Sequence, residues 1–423
     1  MTHPLARRET LVALCLSLAC TQAAVAAPWR APHLLEGPFA VSSPPDAPLV
    51  AENPAGHAVA VWSAASGARY ADKVPGRGWG ASHPVPGGTD SAGFVAVGLS
   101  DSDVTAIAYL TVATELTPSR LVVSARAGAG RFSAPATVAT PRLASDLHLA
   151  VGPGGALTVL WSEGGEIKAA HEAAGGAWVT TRLSSAASTA WLPDLASNES
   201  GEVLAAWQEG AGYQPTAIHA ARMAADGTWS TEERVSPANG HPAWNPKPGL
   251  DAAGGAAIGW LDANTMVVAR APASGGWLTP EAISGSQGVH YPALSMDAGG
   301  DIVAAWQALD ASNKGSIWSR LSPAGGGWQA ATRLSAQAED TAWPVASYAR
   351  SGGLAVVSWT DDATNRARVA TLAAATWRRS TLGDGWWMGV VPVATGSAGA
   401  VAGWARPHAF NPNAADLLSS DTR

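Results

Sequence analysis

The chain is poor in cysteine, in charge and in long apolar segments. Its 423 residues include only 2 Cys, and 14% are charged, well below the usual roughly 25%. So little charge excludes a coiled coil and a disordered chain kept open by charge repulsion. The net charge of −7 argues against nucleic acid as a partner, because phosphate binding needs a basic face. Beyond the first residues no transmembrane segment is predicted, since Gly, Pro and charges interrupt every apolar stretch.

The N-terminal segment, residues 1–26, predicts a secretory signal peptide. Arg7 and Arg8 precede a short apolar segment, and residues 24–26 form an A-x-A cleavage site. Both cysteines, Cys15 and Cys20, lie within this segment, so the mature chain would have no disulfide and no thiolate chemistry. We therefore expect a secreted or periplasmic protein. The residues before Cys20 resemble the end of a lipoprotein signal, which leaves lipidation there as an alternative.

Aromatic residues are unevenly chosen, with 20 Trp against 4 Phe and 5 Tyr. Most Trp belong to a repeated motif of a Gly turn, a short apolar run and an aromatic, as in Gly155-ALTVL-Trp161 and Gly300-DIVAA-Trp306. These closing residues, here called the first aromatics, are Trp62, Tyr109, Trp161, Trp207, Trp260, Trp306, Trp359 and Trp404. They recur with a period of about 49 residues, and such periodicity indicates a repeat fold.

A second aromatic follows each of the first seven copies. The second aromatics are Trp79, Phe132, Trp178, Trp229, Trp277, Trp328 and Trp377. Each repeat contains four short strand candidates separated by turn residues, and the fourth is expected to start at the second aromatic. The repeats show no helical period, which indicates an all-β fold. Four strands in a repeat of roughly 40–50 residues are typical of a propeller blade. We predict a single β-propeller domain over residues 27–423 with eight four-stranded blades, or seven if Tyr109 marks an insertion.

The chain ends predict how the ring closes. The eighth copy, at Trp404, has no second aromatic after it, whereas the N-terminal segment from Trp29 has the pattern of a fourth strand. We predict that residues 28–36 complete the last blade, which would protect its exposed edge. The distance from first to second aromatic alternates between short and long, so the even-numbered blades should carry long loops between strands two and three.

The repeats resemble those of bacterial exported β-propeller proteins, in which a G-x-A-x-A-V-W strand recurs about every fifty residues. The resemblance covers residues 28–423 and implies the fold, but propellers host many unrelated functions. Ser295-Met-Asp297-Ala-Gly299 begins like the Asp box of sialidases. The next tryptophan, Trp306, follows farther from Gly299 than the Asp box S-x-D-x-G-x-x-W allows, so sialidase activity is not predicted.

Further aromatic residues recur near the expected start of the innermost strands. Trp191, Trp244 and Trp343 precede the first aromatics of their repeats by one identical spacing. In the repeat of Trp306 the residue at this spacing is His290, and Tyr291 follows it directly. In the last repeat Trp387 precedes Trp404 by one residue more than this spacing. These positions predict aromatic faces around one mouth of the central channel. Such faces suit stacking against sugars; alternatively, the rings wedge between blades or plug the channel.

Acidic residues recur just after the first aromatics, on the same predicted face. They are Glu163, Glu209, Asp262, Asp310, Asp361 and Asp362. They could form a general acid/base pair or a cation site, or serve as solvated turn residues. The sequence contains no EF-hand, HExxH, P-loop or GxSxG motif, and its His residues show no metal-ligand spacing. Only His241 and His290 are expected near the channel, where, with Tyr291, they could suit a lyase.

We favour a monomeric binding protein that holds a glycan or another extracellular ligand on the loop face. The candidate binding residues are Trp191, Trp244, His290, Tyr291, Trp343, Trp387, Glu209, Asp262 and Asp361. Neither a metal nor a cofactor is predicted. The alternatives are a glycoside hydrolase or lyase acting on polysaccharide, and an envelope scaffold for partner proteins. A binder with repeated sites should keep equivalent residues in several blades, whereas an enzyme should gather unlike polar residues at one place.

Overall fold

The computed structural model describes residues 28–40, 47–64, 66–88, 92–112, 118–186, 188–211, 214–285, 288–385, 390–397, 399–408 and 411–422. The predicted signal peptide and Trp387 lie outside these residues. The described part contains 33 β-strands and one short 3-10 helix at Pro153–Gly155. None of its helices has the length and apolar character needed to cross a membrane.

The strands form eight blades. In chain order they are β1 (His33–Ala40) of blade 8; β2 (Leu49–Glu52), β3 (Ala58–Ala64), β4 (Gly67–Val74), β5 (Gly78–Trp79) and β6 (His83–Pro84) of blade 1; β7 (Ala92–Leu99), β8 (Val104–Thr111), β9 (Leu121–Ala127) and β10 (Ala136–Ala139) of blade 2; β11 (Ala144–Val151), β12 (Leu157–Glu163), β13 (Glu166–Glu172) and β14 (Val179–Arg182) of blade 3; and β15 (Thr189–Ser197), β16 (Val203–Ala211), β17 (Gln214–Met223) and β18 (Glu233–Arg234) of blade 4. The remaining strands are β19 (Ala243–Leu250), β20 (Ala256–Asp262), β21 (Thr265–Ala271) and β22 (Glu281–Ala282) of blade 5; β23 (Val289–Met296), β24 (Ile302–Leu309), β25 (Gly315–Ser322) and β26 (Thr332–Arg333) of blade 6; β27 (Thr341–Tyr348), β28 (Leu354–Asp361), β29 (Arg366–Ala373) and β30 (Thr376–Asp384) of blade 7; and β31 (Val393–Thr395), β32 (Ala400–His408) and β33 (Asn411–Asp421) of blade 8.

The blades close into a ring around a central axis. Each is an antiparallel sheet whose first strand is innermost, and the innermost strands contact one another in the order β2, β7, β11, β15, β19, β23, β27, β31 and back to β2. Tyr109 lies in β8, the second strand of a complete blade. The prediction of an eight-bladed propeller is therefore confirmed.

The N-terminal segment supplies the outermost strand of the last blade. β1 pairs antiparallel with β33, so the predicted closure is confirmed, although the strand covers His33–Ala40 rather than residues 28–36. Trp29 precedes the strand, and its Nε1 donates a hydrogen bond of 3.1 Å to Oγ1 of Thr371 in blade 7. Strands from both ends of the chain thus cover an edge that would otherwise be unpaired.

The first aromatics form the contacts between neighbouring blades. Every one of them is at most 3% exposed. Trp260 of blade 5, for example, belongs to one core cluster with Leu204 and Ile218 of blade 4. Burying a tryptophan removes about 150–250 Å² from water, so these rings account for much of the inter-blade core. The second aromatics are half-buried and lie at its outer margin.

Candidate functional site at one mouth of the channel

The innermost strands share a bulge near their start. In blade 4 the register passes from Trp191–Gln208 to Asp194–Ala206, so the inner strand contains one extra residue. Blades 2, 3, 5, 6 and 7 show the same shift. In blades 3–7 one bulge residue has a positive φ of 47–58°, and these residues are Asp146, Leu192, Asn245, Tyr291 and Trp343. A bulge changes the direction of its side chain. Five successive blades therefore have the same bulge, with the same backbone conformation, at this mouth of the channel.

Trp343 is not structurally equivalent to Trp191 and Trp244, although all three have the same sequence spacing. Trp191 and Trp244 pair with the residue after the first aromatic. In blade 7 that place is taken by Ala342, which pairs with Thr360. Trp343 is the next residue, in the bulge, and corresponds to Tyr291. The expectation that the three tryptophans share one phase is therefore wrong.

The cause is one extra residue in the hairpin between strands one and two of blade 7. A backbone hydrogen bond from Ala349 to Leu354 closes this six-residue turn, whereas the five-residue turn of blade 4 is closed from Asn198 to Glu202. Because the longer turn lies between Trp343 and Trp359, the same number of residues counted back from the first aromatic reaches the bulge residue instead of the paired residue before it. The proline that directly follows the bulge residue, as in Trp343-Pro344, marks the structurally equivalent position in the sequence.

Buried glutamines of one blade hold the start of the next blade. Oε1 of Gln208, in blade 4, accepts a 2.9 Å hydrogen bond from the backbone N–H of Asn245 in blade 5. Nε2 of Gln307, in blade 6, donates a 2.6 Å bond to the carbonyl of Thr341 in blade 7. Both glutamines follow a first aromatic directly. The same core strand that buries its tryptophan therefore also positions the neighbouring bulge.

Two aromatic bulge residues meet in a cavity at the channel mouth. The ring centroids of Tyr291 and Trp343 are 3.9 Å apart at an interplanar angle of 34°. Both side chains are half-buried, and they line a cavity of about 400 Å³ together with Asn245, Lys247 and Asp194. This volume is within the range of small-ligand sites.

A row of ionisable groups crosses three adjacent blades beside this cavity. Nζ of Lys247 is 2.8 Å from Oδ2 of Asp194, and Nδ1 of His148 is 3.4 Å from Oδ1 of the same carboxylate. Burial would raise the pKa of Asp194, but the charges of Lys247 and His148 outweigh it and hold the pKa below its ordinary value. Burial lowers the pKa of His148, against the opposing effect of Asp194. The site thus offers a carboxylate, an ammonium group and an imidazole close together.

Hydrogen bonds link the hairpin turns of blades 4 to 7 at the opposite end of the channel. Oγ of Ser200 donates a hydrogen bond to the carbonyl of Ala252 (3.3 Å). The N–H of Ala252 donates to the carbonyl of Ala298 (3.0 Å), and the N–H of Ala298 donates to the carbonyl of Arg350 (3.0 Å). The guanidinium of Arg350 pairs with Glu199, back in blade 4. These contacts connect the turns of blades 4 to 7 to one another at the end of the channel opposite the aromatic mouth.

The predicted acidic residues do not gather at the cavity. Three of them contact a basic side chain of their own blade: Glu209 with His219, Asp262 with His241 and Asp361 with Arg368. None of these three acids lines the channel-mouth cavity. The geometry therefore offers no carboxylate pair among them for glycoside hydrolysis, which needs two carboxyl groups on opposite sides of one bond.

The other predicted residues surround the mouth without lining the cavity. His290 is exposed, with its ring centroid 6.1 Å from that of Tyr291. Trp244 is 37% exposed, and Trp191 is half-buried. Tyr291 and Trp343 are thus the only members of the predicted set that line this cavity among the described residues.

Sequence reasoning missed Asn245 and the charged residues of the cavity region. A signal for the latter exists, because His148, Asp194 and Lys247 precede the first aromatics of their repeats by one identical spacing. Their residue types differ, so they do not stand out as a repeat. Counting from the first aromatic to every polar position on the innermost strand would have found them.

Comparison with known proteins identifies the fold and leaves the activity open. No protein family and no curated protein matches the sequence. Among solved structures, the Dos1 propeller is similar with a TM-score of 0.51 and 9% identity, over 92% of this chain and 95% of that one. The polysaccharide lyase Uly1 is similar with a TM-score of 0.50 and 10% identity, over 77% and 89%. This chain spans half the length of a puromycin hydrolase, with 74% of it matched at 17% identity and a TM-score of 0.47. The likeness to the Dos1 propeller agrees with the β-propeller fold and, at 9% identity, shows the fold alone.

Proposed function

We propose that this chain is an exported β-propeller that binds an extracellular glycan at the channel mouth. The observation that carries the proposal is the contact between Tyr291 and Trp343 within a cavity lined also by Asn245 and Lys247. Sugars present apolar C–H faces and hydroxyl edges. Aromatic rings stack on such faces, and a few converging polar groups give orientation and specificity. Export is inferred from the signal-like residues 1–26 and remains a proposal.

Backbone geometry supports a binding role for the two rings. Tyr291 has φ 47° and Trp343 has φ 58°, a region that costs a bulky residue about 1–3 kcal/mol. Glycine would adopt this conformation without that cost. A large ring at a strained position beside a cavity is therefore better explained by what the ring contacts than by the bulge alone.

Charge at the cavity suggests how a sugar would be oriented. Lys247 donates to Asp194, and an ammonium group has three donor hydrogens. Lys247 can therefore keep its ion pair while donating to a ligand hydroxyl or carboxylate. Oδ1 of Asp194 accepts a 2.8 Å bond from the N–H of Leu195, so the carboxylate is held in place as an acceptor. A ligand with both hydroxyl donors and acceptors fits this arrangement.

The test is binding of soluble polysaccharides to the protein and to Trp343→Ala and Tyr291→Ala. We expect a roughly tenfold loss of affinity in isothermal titration, because a stacked ring contributes up to about 1.5 kcal/mol beyond its area and tenfold corresponds to about 1.4 kcal/mol. Trp244→Ala is the matched control: it removes the same side chain near the same mouth, from a position outside the cavity lining. Equal affinity losses for Trp244→Ala and Trp343→Ala, or no loss for Trp343→Ala, would refute the assignment.

The second candidate is a polysaccharide-cleaving enzyme, specifically a lyase. The observation that favours it is a phenol and an ammonium group in one cavity, from Tyr291 and Lys247, since a lyase requires a proton-transferring group and a cation near a sugar carboxylate. The same samples should be read for the ultraviolet absorbance of an unsaturated sugar product and for new reducing ends. Product that disappears with Tyr291→Phe would establish the enzyme. Binding without product supports the glycan binder, and neither signal points to a protein-interaction role.

A further inference from the structure

A cation recurs on the third strand opposite the first aromatic. In blade 1 this position is Arg69, in blade 3 it is Lys168 and in blade 7 it is Arg368. Each forms an ion pair with a carboxylate, at distances of 2.8, 3.1 and 3.0 Å. These blades therefore balance a buried or half-buried acid with a permanent positive charge.

Blade 4 retains the acids but has a histidine in place of the permanent cation. His219 pairs with Trp207 across β16 and β17. Its Nε2 lies 3.3 Å from Oε2 of Glu209, and its Nδ1 lies 3.4 Å from Oε1 of Glu232. Arg234 faces His219 across β17 and β18, but it donates to backbone carbonyls instead. In the described part of the chain, neither glutamate has an ion pair with Lys or Arg.

This cluster contains buried polar atoms without hydrogen bonds. The side chain of Glu209 is only 6% exposed, and its Oε1 is buried with no hydrogen-bond partner. Nδ1 of His219 is likewise buried and without a hydrogen bond. A buried carboxylate without a full set of hydrogen bonds or a compensating charge is strongly destabilising. Two carboxylates thus share the site without a Lys or Arg partner among the described residues, and a divalent cation would supply positive charge to both.

We propose that Glu209, His219 and Glu232 form a binding site for a divalent transition metal, for which Zn²⁺ fits the ligand set best. Zinc accepts one imidazole nitrogen with carboxylate oxygens and leaves a fourth position for water. One ligand atom from each residue lies within 4.8 Å of the others. Tetrahedral zinc, with bonds of about 2.0–2.2 Å, needs spacings of roughly 3.4 Å. The site therefore has to contract. Glu232 is the most exposed of the three side chains at 22%, and its Oε1 can approach the other ligands while Oε2 keeps the hydrogen bond to the N–H of Ser185.

Surrounding contacts already orient two of the ligands. Oε2 of Glu232 accepts a 2.7 Å hydrogen bond from the N–H of Ser185, in the segment between blades 3 and 4. This leaves Oε1 for the metal. The imidazole of His219 lies against the Trp207 ring, with centroids 6.4 Å apart and an interplanar angle of 27°. Such outer contacts fix ligand geometry, and a bound ion would join that linker to blade 4.

The experiment is zinc binding to chelator-treated mature protein, measured by equilibrium dialysis with elemental analysis and by thermal unfolding. We expect one Zn²⁺ per chain and a higher Tm with zinc, because a ligand of the native state stabilises it. Ca²⁺ and Mg²⁺ should compete poorly, since both prefer oxygen ligands. Cobalt substitution should give the visible absorption of a four-coordinate site. Zinc content indistinguishable from that of a buffer blank, or no change in Tm, would overturn the proposal.

The decisive variant is His219→Arg, which gives blade 4 the permanent cation of blade 7. It should fold with a Tm at or above that of the metal-free wild type while losing at least tenfold in zinc affinity. Glu232→Gln should show a comparable loss and serves if the arginine variant fails to fold. His241→Ala, which removes an exposed histidine beside Asp262, is the matched control and should bind zinc normally. Unchanged zinc affinity in both site variants would overturn the proposal.

Discussion

Replacing Glu36 with alanine should weaken the closure of the ring. Glu36 lies in β1, the outermost strand of blade 8. Its Oε2 accepts hydrogen bonds from Nε1 of Trp62 (2.8 Å), Nε of Arg69 (2.8 Å) and Oγ of Ser82 (3.0 Å). All three donors belong to blade 1. One carboxylate therefore joins the last blade to the first.

The magnitude follows from the burial of these groups. Trp62 is 1% exposed, and leaving its N–H without an acceptor costs about 1–3 kcal/mol. The Arg69 and Glu36 side chains are 21% and 27% exposed, so solvent screening limits their ion pair to about 1 kcal/mol. Together these give an expected loss of about 2–4 kcal/mol. At about 2.1 cal/mol/K of unfolding entropy per residue, this lowers the Tm by roughly 2–5 °C.

The assay is differential scanning calorimetry of the wild type, Glu36→Ala, Glu36→Gln and a surface control. The Tm of Glu36→Gln should lie between those of the wild type and Glu36→Ala, because its amide oxygen still accepts a hydrogen bond but carries no charge. Glu281→Ala is the control, since Glu281 is exposed on the short β22 strand of blade 5, and it should melt like the wild type. If Glu36→Ala melts at the same temperature as that control, the carboxylate does not stabilise closure and the reasoning fails.

Two further predictions concern charge and backbone conformation. Burial opposes a charge on His57, but Asp103 (Nδ1–Oδ1 2.5 Å) and Asp72 (Nε2–Oδ1 3.6 Å) outweigh burial and raise its pKa above 6.5. The resulting stability is complete below the unfolded pKa and is lost as pH rises through the folded one. The Tm of the wild type should therefore fall relative to that of His57→Gln as pH rises above the ordinary histidine pKa of about 6.5, and parallel curves would contradict this. Ala374 and Ala375 form the β29–β30 turn with φ of 49° and 59°, a geometry that favours Asn-Gly. Ala374→Asn combined with Ala375→Gly should stabilise the protein by about 1 kcal/mol, and a lower midpoint in urea denaturation would refute this.

Local patterns were sufficient to predict the architecture. The period of the first aromatics, including Tyr109, correctly indicated eight blades, because each blade repeats the same turn, strand and tryptophan. The strand after Trp29 was recognised as the missing edge because the last repeat lacked one. Strand bounds were less accurate: β22 begins at Glu281, well after Trp277, where the fourth strand was expected to start. Pro280 lies between them and has no N–H for the sheet ladder.

Prediction of the site was less successful because register depends on each turn. One added residue before Leu354 moved Trp343 from the position of Trp191 to that of Tyr291, and spacing alone did not reveal this. The acids follow the first aromatics by two to four residues, yet local partners such as Arg368 bind some of them within their own blades. A side chain's partner is decided by neighbouring strands and by charge, neither of which is visible in the period.

The number of blades, the buried face of each second strand and the strand that closes the ring can therefore be predicted from the amino-acid sequence. These features follow from hydrophobic periodicity and turn residues, which act over a few positions along the chain. Three contacts could be recognised only in the folded protein. Tyr291 contacts Trp343, Asp194 lies between His148 and Lys247, and His219 lies between two glutamates. Each of these contacts joins residues from different strands, and most join different blades. Their distances depend on how bulges and ring closure bring separate segments together.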